Sequence, residues 1–433
     1  MIVKILLLFF IIEFVLYFLI NKVRDRFASR ENWPKHRLIT NIITSKDRFP
    51  SIDKRGLYRF SIYFYDSEIG SMTKPNTSNI ETHETAKGEV VTTSYKINSS
   101  GSRINPSHEH LTAKIACFGD SMTFCRHVND NETYQYYLSE LSKYNVTNYA
   151  VGNYGVDQAY MRFKREIENN NIKEPVILIG VSPETIRRSL SCWKHYFEFG
   201  NIYNFKPRFK IENGRLELIP NTINKLNRYY DLKKYLKDIK KNDYFYKKKF
   251  NKLIYEFPYT LSILKSPVRK TILLLFFGIT YFSELLNRDW TKSKLFFNNS
   301  ELMNGLKKIG GLYFDFKDKV KFYKNKEIIE LTVSIINEFS DCVRKNNKIP
   351  YLIILPSKTD IEYIKKNKDI YYKPLMDKTS QFIKVLDLSN EFVRIRDLDS
   401  IYADKLGYGA HYNAEGNKIV AKSICDFLNI EKQ

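Results

Sequence analysis

Ser121 follows a short apolar run, Lys114-Ile-Ala-Cys-Phe118, from which it is separated only by Gly119 and Asp120. A run of that length reads as a buried strand, and the Gly-Asp-Ser after it sets a hydroxyl at the strand's carboxyl end. Open α/β sheets hold their sites at that edge. Gly119 permits a sharp turn, and the amides beyond it open a helix, where partial positive charge can hold an oxyanion. Taken alone, the tripeptide is better read as a turn in which Asp120 or Ser121 caps a helix. Two further segments shift that balance. Asn148-Tyr-Ala-Val-Gly-Asn-Tyr-Gly155 ends the next strand in a glycine-bearing loop, and His411-Tyr-Asn-Ala-Glu-Gly-Asn417 begins the last helix. A serine hydroxyl is a weak nucleophile at its own pKa and needs a base. Of seven histidines, His411 alone sits in a helix-entry loop of the α/β region.

These segments meet only if one sheet carries them. Helical spacing is read over Thr133–Tyr144, Asp157–Asn169, 325–345, 371–382 and 414–428. Strands are read at Asn145–Val151, Pro175–Ile179, Tyr351–Leu355 and Lys384–Leu388. Strands alternating with helices, with continuous apolar strands, imply a parallel sheet covered on both faces. Upstream, Tyr58–Tyr65 and Val90–Ile97 read as strands. The expected organisation is an anchor at 1–22, a juxtamembrane and β-rich lead-in at 23–112, a first α/β half at 113–190, a basic helical insertion at 191–322 and a second α/β half at 323–433. Within the insertion, Leu232, Tyr235, Leu236 and Ile239 recur at helical spacing among many lysines, and Thr271–Phe282 is a second apolar run. That run is short for a span, so an interfacial or core helix is expected.

The first twenty residues are nearly all apolar, with Glu13 the interruption after Lys4. Such a stretch is just long enough for a hydrocarbon core of about 30 Å. No small-residue cleavage site follows, so an uncleaved single-pass anchor is expected. Glu13 then marks a helix–helix contact or a functional carboxyl. The excess of Lys and Arg after the stretch favours a cytoplasmic body. A formal charge of +22 reads as compositional drift or as affinity for an anionic lipid surface. No nucleic-acid motif is present, and nucleic acid is not expected as a partner. Five widely spaced cysteines, with no Cys-x-x-Cys, argue against a disulfide framework or a zinc site. His108, His110 and His127 read as surface loop residues, and Cys125 with His127 lacks a third metal ligand. Asp360 and Asp387 read as capping or loop carboxylates.

Strand, Gly-Asp-Ser and helix, then a Gly/Asn loop, then a carboxyl-terminal histidine at a helix entry: this order resembles the SGNH (GDSL-like) hydrolase superfamily. The likeness covers about 113–190 and 325–430. Tyr95-Lys-Ile-Asn-Ser-Ser-Gly-Ser-Arg103 and Phe118-Gly-Asp-Ser-Met-Thr-Phe124, with Val128 and Glu132, look like a membrane-anchored bacterial subgroup. The resemblance implies a three-layer α/β/α sandwich of flavodoxin-like type. It makes Ser121 the nucleophile and its own amide the first oxyanion donor, with Gly152 or Asn153 supplying the second. Where the family reads Gly-x-Asn-Asp, this chain has Gly180, Val181, Ser182 and Pro183, leaving Ser182 as a weak substitute donor. Where the family reads Asp-x-x-His, it has Tyr408, Gly409, Ala410 and His411. Asp404 is then a stand-in acid, and a Ser–His dyad oriented by a backbone carbonyl is the alternative.

The implied function is an esterase or O-acyltransferase acting through an acyl-enzyme on O-acyl groups of a cell-envelope glycan or lipid-linked saccharide. No metal or organic cofactor is needed. A non-catalytic scaffold that binds glycan or protein at the membrane is one rival. A lipase or phospholipid acyl hydrolase is the other.

Overall fold

The computed structural model describes residues 2–28, 52–85, 87–198, 201–248, 250–252, 255, 257–268, 270–271, 274–275, 316–404 and 410–430. Two compact units divide the chain. One comprises Met1–Leu57, Ser191–Phe205 and Lys225–Asp315, the other Tyr58–Leu190, Lys206–Asn224 and Phe316–Gln433.

The second unit is α/β and holds a five-stranded parallel sheet. Its strands are β1 (Ala113–Gly119), β2 (Asn145–Asn148), β3 (Val176–Val181), β4 (Ile349–Ile354) and β5 (Lys384–Asp387). Their order across the sheet is 2-1-3-4-5, the doubly wound order in which the sequence of strands changes sense between β1 and β3. Side chains on a strand alternate between faces, and both faces here are apolar. Ile115, Cys117, Leu178 and Ile353 share one buried cluster with Tyr134 and Leu138 of helix Tyr134–Ser142 and with Val420 and Ile424 of helix Ala414–Phe427. From the other face, the Phe118 ring meets Phe163 of helix Val156–Glu168 at 5.3 Å, and Phe163 meets Phe339 of helix Lys326–Lys345 at 5.3 Å. The result is a three-layer sandwich. Side-chain caps fix where its helices begin: Thr133 Oγ1 accepts from the Tyr136 amide, Asn325 Oδ1 from Ile328, and Asn413 Oδ1 from Gly416.

Two readings upstream and in the insertion are corrected. Residues 58–63 are not a strand, because Lys54–Tyr63 is a helix, and of the run Tyr58–Tyr65 only Tyr65 enters a short strand, Tyr65–Asp66. Asp53 accepts the amides of Arg55 and Gly56 at its start, and Leu57 and Phe60, three apart, are buried while Tyr58 and Ile62 are exposed. That spacing outweighs the strand preference of aromatic residues, which depends on context. Val90–Lys96 is a strand, and its antiparallel partner is the polar stretch Ser78–Glu84. Nor is 191–322 wholly helical. Arg208–Glu212 and Arg215–Ile219 form a hairpin of the α/β unit, turned by Asn213 and Gly214 with φ of 51° and 73°. Asn-Gly with two positive φ angles is the tight turn that matches strand twist.

In the first unit, Leu232, Leu236 and Ile239 bury one face of helix Leu232–Asn242, as their spacing implies, while Lys233, Lys234, Lys237 and Lys241 stay exposed. An aromatic core lies beside them: Trp193 stacks on Phe205 at 4.7 Å, and Phe197 on Phe245 at 4.8 Å. The helix Ile2–Ala28 contains a stretch, Val3–Ile20, long and apolar enough to cross a membrane. It exposes Leu7, Phe10 and Phe14 yet buries Glu13. The Glu13 carboxylate accepts the amides of Tyr259 and Thr260 at 2.6 and 2.7 Å and the Thr260 hydroxyl at 2.5 Å. It thereby satisfies free donors at the start of helix Tyr259–Leu264. This is a helix–helix contact, one of the two roles open for Glu13. The stretch 29–51, and all but residues 271, 274 and 275 of the apolar run 271–282, lie outside the described residues.

Candidate active site

Gly119 ends β1 directly opposite Gly180 of β3. A Cβ on Gly119 would lie 2.5 Å from the Gly180 carbonyl and collide with Thr123, and one on Gly180 would also strike Thr123. The two glycines thus let the short helix Ser121–Phe124 sit down on the sheet edge. Asp120 caps that helix, accepting from Met122 at 2.8 Å, and its other oxygen accepts the Ser182 amide at 3.2 Å. Burial raises the Asp120 carboxyl, against the lowering charge of Arg188 and the amides of Met122 and Ser182. Asp120 is therefore a brace between β1 and the end of β3.

Ser121 is buried, and its Oγ lies 3.0 Å from Nε2 of His411. His411 Nδ1 lies 3.0 Å from Oδ2 of Asp404, which also accepts the His411 amide at 3.2 Å. Asp404 is seven residues before His411, so the carboxylate arrives from the loop ahead of the last helix rather than from three residues before the histidine. An antiparallel bridge between Tyr402 and Tyr412 closes this loop, with the Ala403 amide donating to the His411 carbonyl at 2.7 Å. Tyr408 and Gly409 lie outside the described residues. Burial alone would raise the Asp404 carboxyl. Hydrogen bonds from His127 and His411, with their positive charge, outweigh that and hold it well below the ordinary carboxylate range. Burial lowers His411 below the ordinary imidazole value, Asp404 raises it, and the charges of His127 and Arg126 oppose Asp404.

By the candidate oxyanion donors, the Val151 amide donates to the Gly119 carbonyl at 3.1 Å, so Gly152 and Asn153 leave the sheet next to the Ser121 turn. Space beyond the Gly152 α-carbon is open, and Asn153 holds the loop's reversal at φ 71°. The Ser182 amide donates to Asp120, and its Oγ is buried without a hydrogen-bond partner among the described residues. Asn148 links β2 to this corner, donating to the Thr123 carbonyl at 3.2 Å.

His127 corrects an expectation drawn from the sequence. It is not a surface loop residue: it is buried, and its Nδ1 lies 2.7 Å from the same Asp404 oxygen. Sequence spacing gave no sign of this, because Asp404 and His127 meet only through the fold. Ligand atoms of His127, Asp404 and His411 lie within 4.8 Å of one another. Each is already used in the hydrogen-bond chain, which accounts for the cluster without an ion. His108 and His110 take no part in that chain, and the His108 ring packs on Tyr136 at 4.8 Å. Asp360 caps the helix after β4, accepting from Ser357, and Asp387 accepts from Ser389.

No family model and no curated protein matches the chain. Among solved structures, one described as a lipolytic protein of the G-D-S-L family from Desulfitobacterium hafniense is similar over 73% of this chain and 99% of its own. The identity is 13% and the TM-score 0.31, so the functional reading rests on the geometry of this chain.

Proposed function

We propose that the chain is a serine hydrolase of the SGNH type, cleaving or transferring an ester-linked acyl group. The observation that carries this is the continuous chain Ser121 Oγ–His411 Nε2, His411 Nδ1–Asp404 Oδ2, each link 3.0 Å, at the carboxyl edge beside the change of sense between β1 and β3. Ser121 attacks the acyl carbonyl as His411 takes its proton. Asp404 holds His411 with Nδ1 protonated and Nε2 free, and stabilises the imidazolium that forms. The tetrahedral oxyanion faces the Ser121 amide and an amide at Gly152 or Asn153. Collapse expels the alcohol, which takes the proton from His411. Water, or a sugar hydroxyl, then attacks the acyl-enzyme with His411 again as base.

The substrate class is an O-acyl group on a cell-envelope glycan or lipid-linked saccharide, handled by a body tethered through Val3–Ile20. The family resemblance and the apolar stretch support this reading. Purified protein is expected to hydrolyse p-nitrophenyl acetate and to release acetate from an O-acetylated oligosaccharide, and Ser121→Ala to do neither. Equal turnover by wild type and Ser121→Ala would remove the nucleophile from this account. Preference for long-chain glycerolipid esters would reassign the substrate to lipid.

A further inference from the structure

We propose that His127 is a positioning residue that locks the Asp404 carboxylate and, through it, aims His411 at Ser121. This rests on the catalytic reading of those three residues and adds a fourth that acts only through Asp404.

Cys125 and His127 have φ of 60° and 70°, a left-handed conformation that side chains other than glycine and asparagine adopt at a cost. Two such residues in one short loop persist only where the surroundings over-determine them. Arg103 does so here. Its guanidinium donates to the carbonyls of Phe124, Cys125 and Val128 at 2.8, 2.8 and 2.7 Å and to Asp130 at 2.7 Å. Four acceptors around one buried guanidinium fix the loop on both sides of His127. The hairpin of Ser78–Glu84 and Val90–Lys96 supplies the lid on the ring: His83 stacks on His127 at 4.4 Å with planes 12° apart.

The ring so held has one use for Nδ1. Its 2.7 Å contact with Asp404 Oδ2 is shorter than the 3.0 Å contact made by His411. Three N–H groups, two from imidazoles and one from the His411 backbone, converge on a single carboxylate oxygen. Three donors from different directions leave that oxygen one place to be, so the carboxylate plane that selects the His411 tautomer is set partly by His127. Among the described residues, the charged and titratable groups around His127 are Asp404, His411 at 4.9 Å ring to ring, His83, and Glu81, 3.9 Å from Nε2 and itself bound by Arg126 at 2.9 Å. The two rings are close enough that a proton on one opposes a proton on the other. Removing His127 therefore eases protonation of His411 by taking away a competitor for the Asp404 oxygen that faces His411.

Two variants separate positioning from simple loop support, since both accept a positive φ. His127→Asn keeps an N–H donor near the place of Nδ1, and His127→Gly removes it. Full-length protein in detergent is assayed for ester turnover, for the rate of labelling by a fluorophosphonate, and for the His411 titration midpoint by ¹⁵N-histidine NMR. Circular dichroism checks the fold. His127→Gly is expected to lower kcat and the labelling rate about 100-fold, the scale of a small misplacement in an oriented site. KM is unchanged, and the His411 midpoint rises. His127→Asn restores most of the rate. A His127→Gly protein with wild-type rate overturns the proposal. So does a rate loss with an unmoved His411 midpoint and no rescue by asparagine, which marks a structural role alone. If wild type neither turns over ester nor labels, yet the midpoint still rises in His127→Gly, the catalytic reading fails and the positioning contact stands. If wild type is inert and the midpoint does not move, both fail.

Discussion

Replacing Asp404 by asparagine changes charge with little change in shape, and the site says what that should cost. Three N–H groups converge on Oδ2, so the asparagine carbonyl will take that place and its NH2 the other. His411 keeps an acceptor at Nδ1 and loses the negative charge behind it. The imidazolium formed as Ser121 attacks sits about 4 Å from that charge. At an effective dielectric near 20 this is worth about 4 kcal/mol, or about 10³-fold in rate. If the amide flips and presents NH2 to Nδ1, the wrong tautomer is fixed and the loss approaches about 10⁴-fold. The assay is p-nitrophenyl acetate hydrolysis with kcat and KM separated, alongside the fluorophosphonate labelling rate and circular dichroism. The loss should fall on kcat. A folded Asp404→Asn protein within about threefold of wild type would show that Asp404 does not serve His411, and would return the site to a Ser–His dyad.

Further outcomes follow from other contacts. His411 must be neutral to act as base, and burial lowers its pKa, so the acid limb of kcat/KM should fall below pH 6.5, and a midpoint above that value counts against this environment. Asp404 has a depressed folded pKa, so the stability it contributes is present above about pH 4 and is lost as pH falls through its folded value. Replacing it by asparagine should therefore flatten the acid limb of the unfolding curve, and an unchanged limb would exclude that linkage. Arg103→Met strands the Asp130 carboxylate and three carbonyls, and should cost about 3 kcal/mol or more in urea unfolding, where a cost under about 1 kcal/mol would contradict the tie. Glu13→Leu removes three hydrogen bonds from the start of helix Tyr259–Leu264. Loss of such a cap costs about 1 kcal/mol, so amide exchange at Tyr259 and Thr260 should quicken, and unchanged exchange would dissolve the clamp.

Much of this was legible in the residues because the signals were local. The runs around Ile115, Ile177 and Leu352 are continuous and apolar, as strands covered on both faces must be, and Thr133, Asn325 and Asn413 sit where helix caps belong. Ser121 and His411 could be paired because each stands at an element boundary whose side of the sheet is fixed by topology. Asp404 was reachable as a candidate because it shares a loop with His411. His127 was not. Its sequence neighbours suggest an exposed turn, and what buries it are Arg103, His83 and Asp404, brought from three other segments. The helix at Lys54–Tyr63 was masked by aromatic residues that also suit strands, and the Asn213-Gly214 turn was a usable signal hidden among lysines.

Ser121 should be more reactive than any other hydroxyl in the chain. Incubating the full-length protein with a fluorophosphonate, then mapping the adduct by tryptic mass spectrometry, tests that directly. The adduct should fall on Ser121, at one equivalent per chain, and vanish in both Ser121→Ala and His411→Ala. Labelling at another serine, or none on folded wild-type protein, would contradict a Ser121–His411–Asp404 hydrolase.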